Sequence, residues 1–166
     1  MERSRFVVSV HPGEATRKGK ERIELLISPN VGEEPRPLAR IASGGELSRL
    51  MLALKTTLRS SGEELLVFDE VDSGIGGRVA ETVGLKLKKL ASRQQVFCVT
   101  HLPQIAAFAD VHFRVEKEVR KGRTLVAATR LGPQGKLEEV ARMLAGAQVG
   151  KSALDHAREL ISRASV

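Results

Sequence analysis

The chain has no Trp, no Tyr and only five Phe in 166 residues. That scarcity argues against stacking of nucleic-acid bases on aromatic rings as a main mode of binding. One cysteine, Cys98, excludes an internal disulfide framework and fits a reducing cytoplasm. No stretch approaches the ~20 apolar residues that cross a bilayer, so no membrane partner is expected. The start, Met1-Glu2-Arg3-Ser4-Arg5, has no signal-peptide pattern and leads straight into a strand-like run. There is no internal repeat, no low-complexity segment and no heptad run.

The phosphate-cradling pattern G-x-x-x-x-G-K-[ST] is absent as well. Its nearest imitation, Gly146-Ala147-Gln148-Val149-Gly150-Lys151-Ser152, is one residue too short and has Ala145 at the required first position. It also follows a helical segment, Glu138 to Leu144, where a phosphate loop follows a strand. Gly146 and Gly150 therefore read as a helix stop and an interhelix turn. Gly132-Pro133-Gln134-Gly135-Lys136 lacks the Ser or Thr that should come next.

What is present is a basic, moderately apolar chain. There are 27 basic and 20 acidic residues, a formal charge of +7, and 42% hydrophobic residues. The length suits a single domain, 1–166, burying roughly 70% of its unfolded surface. The charge is compatible with a nucleic-acid surface and equally with a solvated basic exterior. Phe6 to Val10 and Arg22 to Ile27 read as strands joined by a polar loop. A Pro-rich connection, Asn30 to Pro37, follows. Helical spacing then predicts a helix over 44–60, with Leu47, Leu50, Met51, Leu54 and Leu58 on one face. A second helix starts near Arg78 and carries Val79, Val83, Leu87 and Leu90. A short helix lies around Gln104 to Ala109, and 111–117 with 124–131 form a hairpin turning at Lys121-Gly122. Two terminal helices follow, one with Leu137, Val140, Ala141 and Leu144, the other with Leu154, Ala157 and Ile161. Strands alternating with helices predict an α/β fold.

Three local features carry chemistry. Leu65-Leu66-Val67-Phe68 ends in Asp69-Glu70. Such a run reads as a strand buried on both faces of a parallel sheet, with its carboxylates at the carboxyl end where α/β sheets bind ligands. Two adjacent buried carboxylates need a cation or a proton partner, and Mg²⁺ is held by one or two carboxylates plus substrate phosphates. The alternative is a loop Asp-Glu that caps the next helix. Upstream, Ser43-Gly44-Gly45 opens the 44–60 helix. Its glycines let a ligand approach the backbone, and free N–H groups at a helix start favour an anion. Ser43 with Glu46 also satisfies the capping-box pattern. Downstream, Gln95 to Thr100 reads as a strand ending in His101, either a phosphate-facing imidazole or a structural one.

The order of these features resembles ABC-type ATPases. Residues 42–49 are similar to their signature motif, 65–70 to their Walker B strand, and His101 to their switch histidine. More closely, residues 40–49, 68–77 and 99–106 resemble the bacterial RecN repair proteins, relatives of the SMC proteins. That resemblance spans nearly the whole chain. It implies the C-terminal lobe of an ATPase head, a P-loop NTPase-like sheet with flanking helices, without the Walker A lobe.

Roles follow from the resemblance alone. Asp69 would hold Mg²⁺, directly or through water. Glu70 would polarise the attacking water, and His101 would sense the γ-phosphate. Ser43, Gly44 and Gly45, with Glu46 in the same motif, would bind ATP held by the opposite head. Asp72 and Ser73 would lie where the loop after Walker B crosses the dimer seam. ABC ATPases usually carry an Asp six residues after the glutamate, where this chain has Gly76. That departure favours the RecN subgroup. The implied partners are an N-terminal Walker A lobe of the same protein, a second head in an ATP-dependent homodimer, and DNA, in a bacterial cytoplasm at the nucleoid. An ABC transporter ATPase subunit and a non-catalytic basic DNA-binding module are the competing readings.

Overall fold

The computed structural model describes residues 4–17, 19–28, 32–40, 43–58, 65–120 and 123–164, without the side chains of Ala39 and Arg120. The fold is mixed α/β and divides into two compact units, Met1–Leu47 and Ser48–Val166.

The first unit is an antiparallel sheet. Strand β1 (Arg5–Thr16) pairs with β2 (Gly19–Ser28), and β2 pairs with the short β3 (Arg36–Pro37). The register runs from Arg5↔Ser28 to Pro12↔Glu21, then shifts before Thr16↔Gly19. The polar stretch between the two apolar runs is thus strand almost throughout, where sequence composition predicts a loop. Polar residues suit it because this part of both strands is exposed, and Gly19 supplies the positive φ of 120° that the reversal needs. Residues 30 and 31 of the predicted Pro-rich connection lie outside the described residues.

Helix α1 (Gly44–Thr57) starts where the spacing predicts. Residues 59 and 60 of the predicted helix lie outside the described residues. The predicted stripe is only partly the buried one. Leu50 and Leu52 are 7% and 1% exposed, whereas Leu47 and Met51 are about 40% exposed and Leu58 more. Positions two apart point to opposite sides of a helix, so α1 is buried on more than one side.

In the second unit, β4 (Leu65–Phe68) and β5 (Gln95–Cys98) pair in parallel, Leu65↔Gln95 through Phe68↔Cys98. Between them runs α2 (Gly77–Ala91). It buries Ala80, Val83, Gly84, Leu87 and Leu90, and leaves Val79, at the edge of the predicted stripe, exposed. The expectation of a strand buried on both faces fails. Leu66 and Phe68 pack with Val96, Cys98 and α2, while Leu65, Val67, Phe97 and Val99 are 47–65% exposed. A parallel strand is buried twice only when elements cover both faces of its sheet. Among the described residues only one face is covered.

The short α3 (Pro103–Ala106) joins two cores. Its Ile105 belongs with Leu52, Phe68, Val71 and the α2 stripe, and the next residue after it, Ala107, with Val140, Ala141, Ala157, Leu160 and Ala164. The last five come from α4 (Pro133–Ala145) and α5 (Lys151–Arg163) and its C-cap, with Leu137, Leu144, Leu154 and Ile161 packed beside them as the periodicity predicts. Gly146 caps α4 at φ 77°, its N–H donating to the Arg142 carbonyl at 2.8 Å, and Gly150 starts α5. The sequence that imitates a phosphate loop is a helix stop and turn. Strands β6 (His112–Arg120) and β7 (Arg123–Leu131) form the predicted hairpin, paired to Arg120↔Arg123. Its turn, 121–122, lies outside the described residues.

Gly84 is where α2 meets the Phe108 ring. A Cβ there would stand 2.4 Å from Phe108 Cδ2 and 3.2 Å from Cγ. Gly84→Ala gains about 1 kcal/mol of helix propensity. Overpacking a filled core costs about 1–3 kcal/mol, and a ring held close to its root yields poorly. Net destabilisation of about 1–2 kcal/mol is expected, read as a lower Tm in thermal unfolding. An unchanged or higher Tm would show that the ring moves freely.

Candidate functional site

Parallel pairing brings the carboxyl ends of β4 and β5 side by side. The Val99 N–H donates to the Phe68 carbonyl at 2.9 Å, which carries the register one residue past the strands. Asp69 and Glu70 therefore leave one strand end next to the segment that carries His101. This is the part of an open α/β sheet where ligands bind.

Asp69 and Glu70 are both exposed. Asp69 Oδ1 accepts the Glu70 N–H at 2.9 Å, so Oδ2 is the oxygen left for a cation. Ser48, on the part of α1 within the second unit, donates its hydroxyl to the Asp69 carbonyl at 2.7 Å. Glu70 has φ 56°, and no other described non-glycine residue has a positive φ. A bulky side chain in the left-handed region costs about 1–3 kcal/mol and is kept only where its surroundings enforce it. Here a tight turn does so, the Ser73 N–H donating to the Glu70 carbonyl at 3.0 Å. Arg49 adds two bonds to the same loop, from Nη1 to the carbonyls of Val71 (3.3 Å) and Ser73 (2.7 Å).

Asp72 points inward and is 3% exposed. Its Oδ2 accepts the Thr100 hydroxyl at 2.6 Å and the His101 backbone N–H at 2.8 Å, and lies 3.0 Å from His101 Nδ1. Burial pushes this carboxyl up, but the two hydrogen bonds and the nearby imidazole outweigh it and hold it below the ordinary range. The Thr100 hydroxyl also accepts the Leu102 N–H at 3.1 Å. The His101 side chain is 74% exposed beyond this anchor.

Cys98 ends β5 as a free thiol. Burial, with the charges of Asp72 and Asp69, pushes its thiol up to about 12, so the reactive thiolate is scarce at neutral pH.

The second unit thus brings together Asp69, Glu70, Asp72, Ser73 and His101. Ser43, Gly44, Gly45 and Glu46 lie in the first unit. The Leu47 N–H donates to the Ser43 carbonyl at 3.2 Å, the first bond of α1, which puts Ser43 at the N-cap position. Gly45 is buried and Gly44 exposed. Ala42 lies outside the described residues. The sequence reading missed the bonding roles of Ser48, Arg49 and Thr100 toward the loop after β4, where their partners are 21 to 28 residues distant. Their only local signal is position, two of them within the predicted signature motif and one just before the histidine.

Among the described residues no three His, Cys, Asp or Glu side chains converge as a metal cage. One exposed carboxylate at a strand end does fit the way Mg²⁺ binds, through one or two carboxylates with waters and substrate phosphates. Among the described residues no helix is long and apolar enough to cross a membrane.

No protein-family model matches the chain. It is similar to the DNA repair protein RecN of Bacillus subtilis, 43% identical over 159 residues, or 95% of this chain and 28% of that protein. RecN of Treponema pallidum is 51% identical over 144 residues, 86% of this chain and 25% of that protein. RecN of Deinococcus radiodurans is 50% identical over 144 residues, 87% of this chain and 25% of that protein. The chain therefore spans between a quarter and a third of the length of these relatives. A solved chain from work on ATP-driven dimerization and DNA-stimulated activation of SMC ATPases aligns with a TM-score of 0.47 at 17% identity, covering 85% of this chain and 84% of that one.

Proposed function

We propose, for a chain that is homologous to a segment of the RecN DNA repair proteins, that residues 1–166 act as the C-terminal half of an SMC-like ATPase head in DNA double-strand-break repair and recombination. The observation that carries this reading is the placement of Asp69 and Glu70 at a parallel strand end, beside the neighbouring strand end that leads to His101.

Phosphoryl transfer asks a protein mainly for positioning and charge stabilisation, and these side chains divide that work. ATP and Mg²⁺ supply the transferable phosphoryl group and the charge that neutralises it. Asp69 holds the metal, directly or through water. Glu70 orients the attacking water and takes up its proton. His101 faces the terminal phosphate. Ser43, Gly44, Gly45 and Glu46 meet nucleotide held by a second head, with Ser73 and the loop of Asp72 at the seam between the heads. Nucleotide then joins two heads and hydrolysis releases them.

The exposed apolar residues Leu65, Val67, Phe97 and Val99 support an N-terminal lobe bearing the phosphate loop as the cover of that sheet face. The +7 charge supports DNA as a partner. Action at the nucleoid in a bacterial cytoplasm follows from the same reading.

Ser43→Arg in the full-length protein tests the trans role. Nucleotide binding to the head is expected to stay nearly unchanged, measured with a fluorescent ATP analogue. ATP-driven pairing, measured by light scattering, is expected to be lost. Loss of both together would mean that Ser43 is a structural cap.

A further inference from the structure

We infer that Asp72 is a positioning residue for His101: with Thr100 it fixes the backbone and the imidazole so that Nε2 is the nitrogen presented outward. The inference rests on the reading of His101 as the phosphate-facing histidine and adds what holds it there.

A single carboxylate oxygen, Asp72 Oδ2, meets three groups of the next strand end: the Thr100 hydroxyl, the His101 N–H and His101 Nδ1. The backbone bond anchors the main chain at His101 and the Nδ1 contact sets the ring. An ionised carboxylate only accepts, so its presence at Nδ1 selects the N–H at that nitrogen. Nε2 is then the free ring atom, on a side chain that is 74% exposed while its anchor is almost wholly buried. A carboxylate behind a histidine sets tautomer and orientation in the same way at metal and hydrolase sites. Asp72 is itself held in place, because its loop is tied by Arg49 through the carbonyls on either side, Val71 and Ser73. The loop after the carboxylate pair is thereby connected to the histidine within one chain.

The test is a double-mutant cycle on ATP turnover by the full-length protein, using Asp72→Asn, His101→Ala and the double variant. Removing the carboxylate behind a metal-bound histidine costs about 10–100-fold. A fall of that size in kcat is expected for Asp72→Asn, with KM for ATP changed far less. In the His101→Ala background Asp72→Asn should add almost nothing, because the two act as a unit. A full, additive loss in that background would mean that Asp72 acts through the fold and not through His101, and would overturn the inference. Wild-type turnover by Asp72→Asn, with His101→Ala slow, would overturn it while leaving the role of His101 intact. Wild-type turnover by His101→Ala would remove the reading of His101 and this inference with it. Should Asp72→Asn not fold, Thr100→Val carries the same cycle. It keeps side-chain shape and removes the hydroxyl between Asp72 and the Leu102 N–H, and its smaller loss should likewise vanish in the His101→Ala background. An additive loss there overturns the inference.

Discussion

Replacing Glu70 with Gln in the full-length protein is expected to cut ATP turnover by about 10²–10⁴-fold, the range for loss of a general base, and to accumulate ATP-bound dimers. The amide keeps the size of the side chain and removes its ability to accept a proton. The substitution leaves Asp69 and its exposed carboxylate in place, so metal and nucleotide should still bind. It also keeps the backbone at φ 56° occupied by a side chain of equal bulk, so no strain is added or relieved and stability should change little. Turnover and gel filtration with ATP measure the two halves. Wild-type turnover by the variant would remove Glu70 from the role of base.

The second large effect concerns the 166 residues on their own. Mg-ATP titrated into this chain is expected to bind no tighter than the millimolar range, with no hydrolysis. The sequence contains no phosphate loop. The triphosphate therefore lacks the lysine and the nest of backbone N–H groups that such a loop supplies. Each missing charge-assisted hydrogen bond forfeits about 1.5–3 kcal/mol. At about 1.4 kcal/mol per tenfold, several of them turn a micromolar site into one weaker by orders of magnitude. Gly146 to Ser152 offers no substitute, because it caps one helix and begins the next. An N-terminal lobe added in trans should restore turnover by covering the open sheet face and supplying the loop. Calorimetry of the chain alone, then a turnover assay after mixing the lobes, checks both statements. Micromolar binding by the chain alone would overturn the half-site reading.

Much of this molecule is legible in the order of its residues, for a local reason. A strand four residues long, a stripe at helical spacing and a glycine after it each report their own conformation through contacts a few positions apart. That is why β4, β5, α2, α4, α5, the β6–β7 hairpin and the Gly146 stop follow from the letters, and why the Asp-Glu pair, the glycine turn and His101 stand out as candidates for chemistry. Periodicity says which residues share a face, but not which face will be covered. Leu52 is a core residue that no stripe selects, and Leu58 sits on the predicted stripe in solvent. The β4–β5 sheet, apolar on both sides, is covered on one among the described residues. The same limit applies to polar groups. Nothing near Asp72 in sequence indicates that its carboxylate turns inward onto Thr100 and His101, 28 and 29 residues on. Nor does anything near Arg49 predict its bonds to the Val71 and Ser73 carbonyls. Burial of a charge is tolerated only where partners converge on it, and it is the parallel pairing of two strand ends that brings these partners within reach.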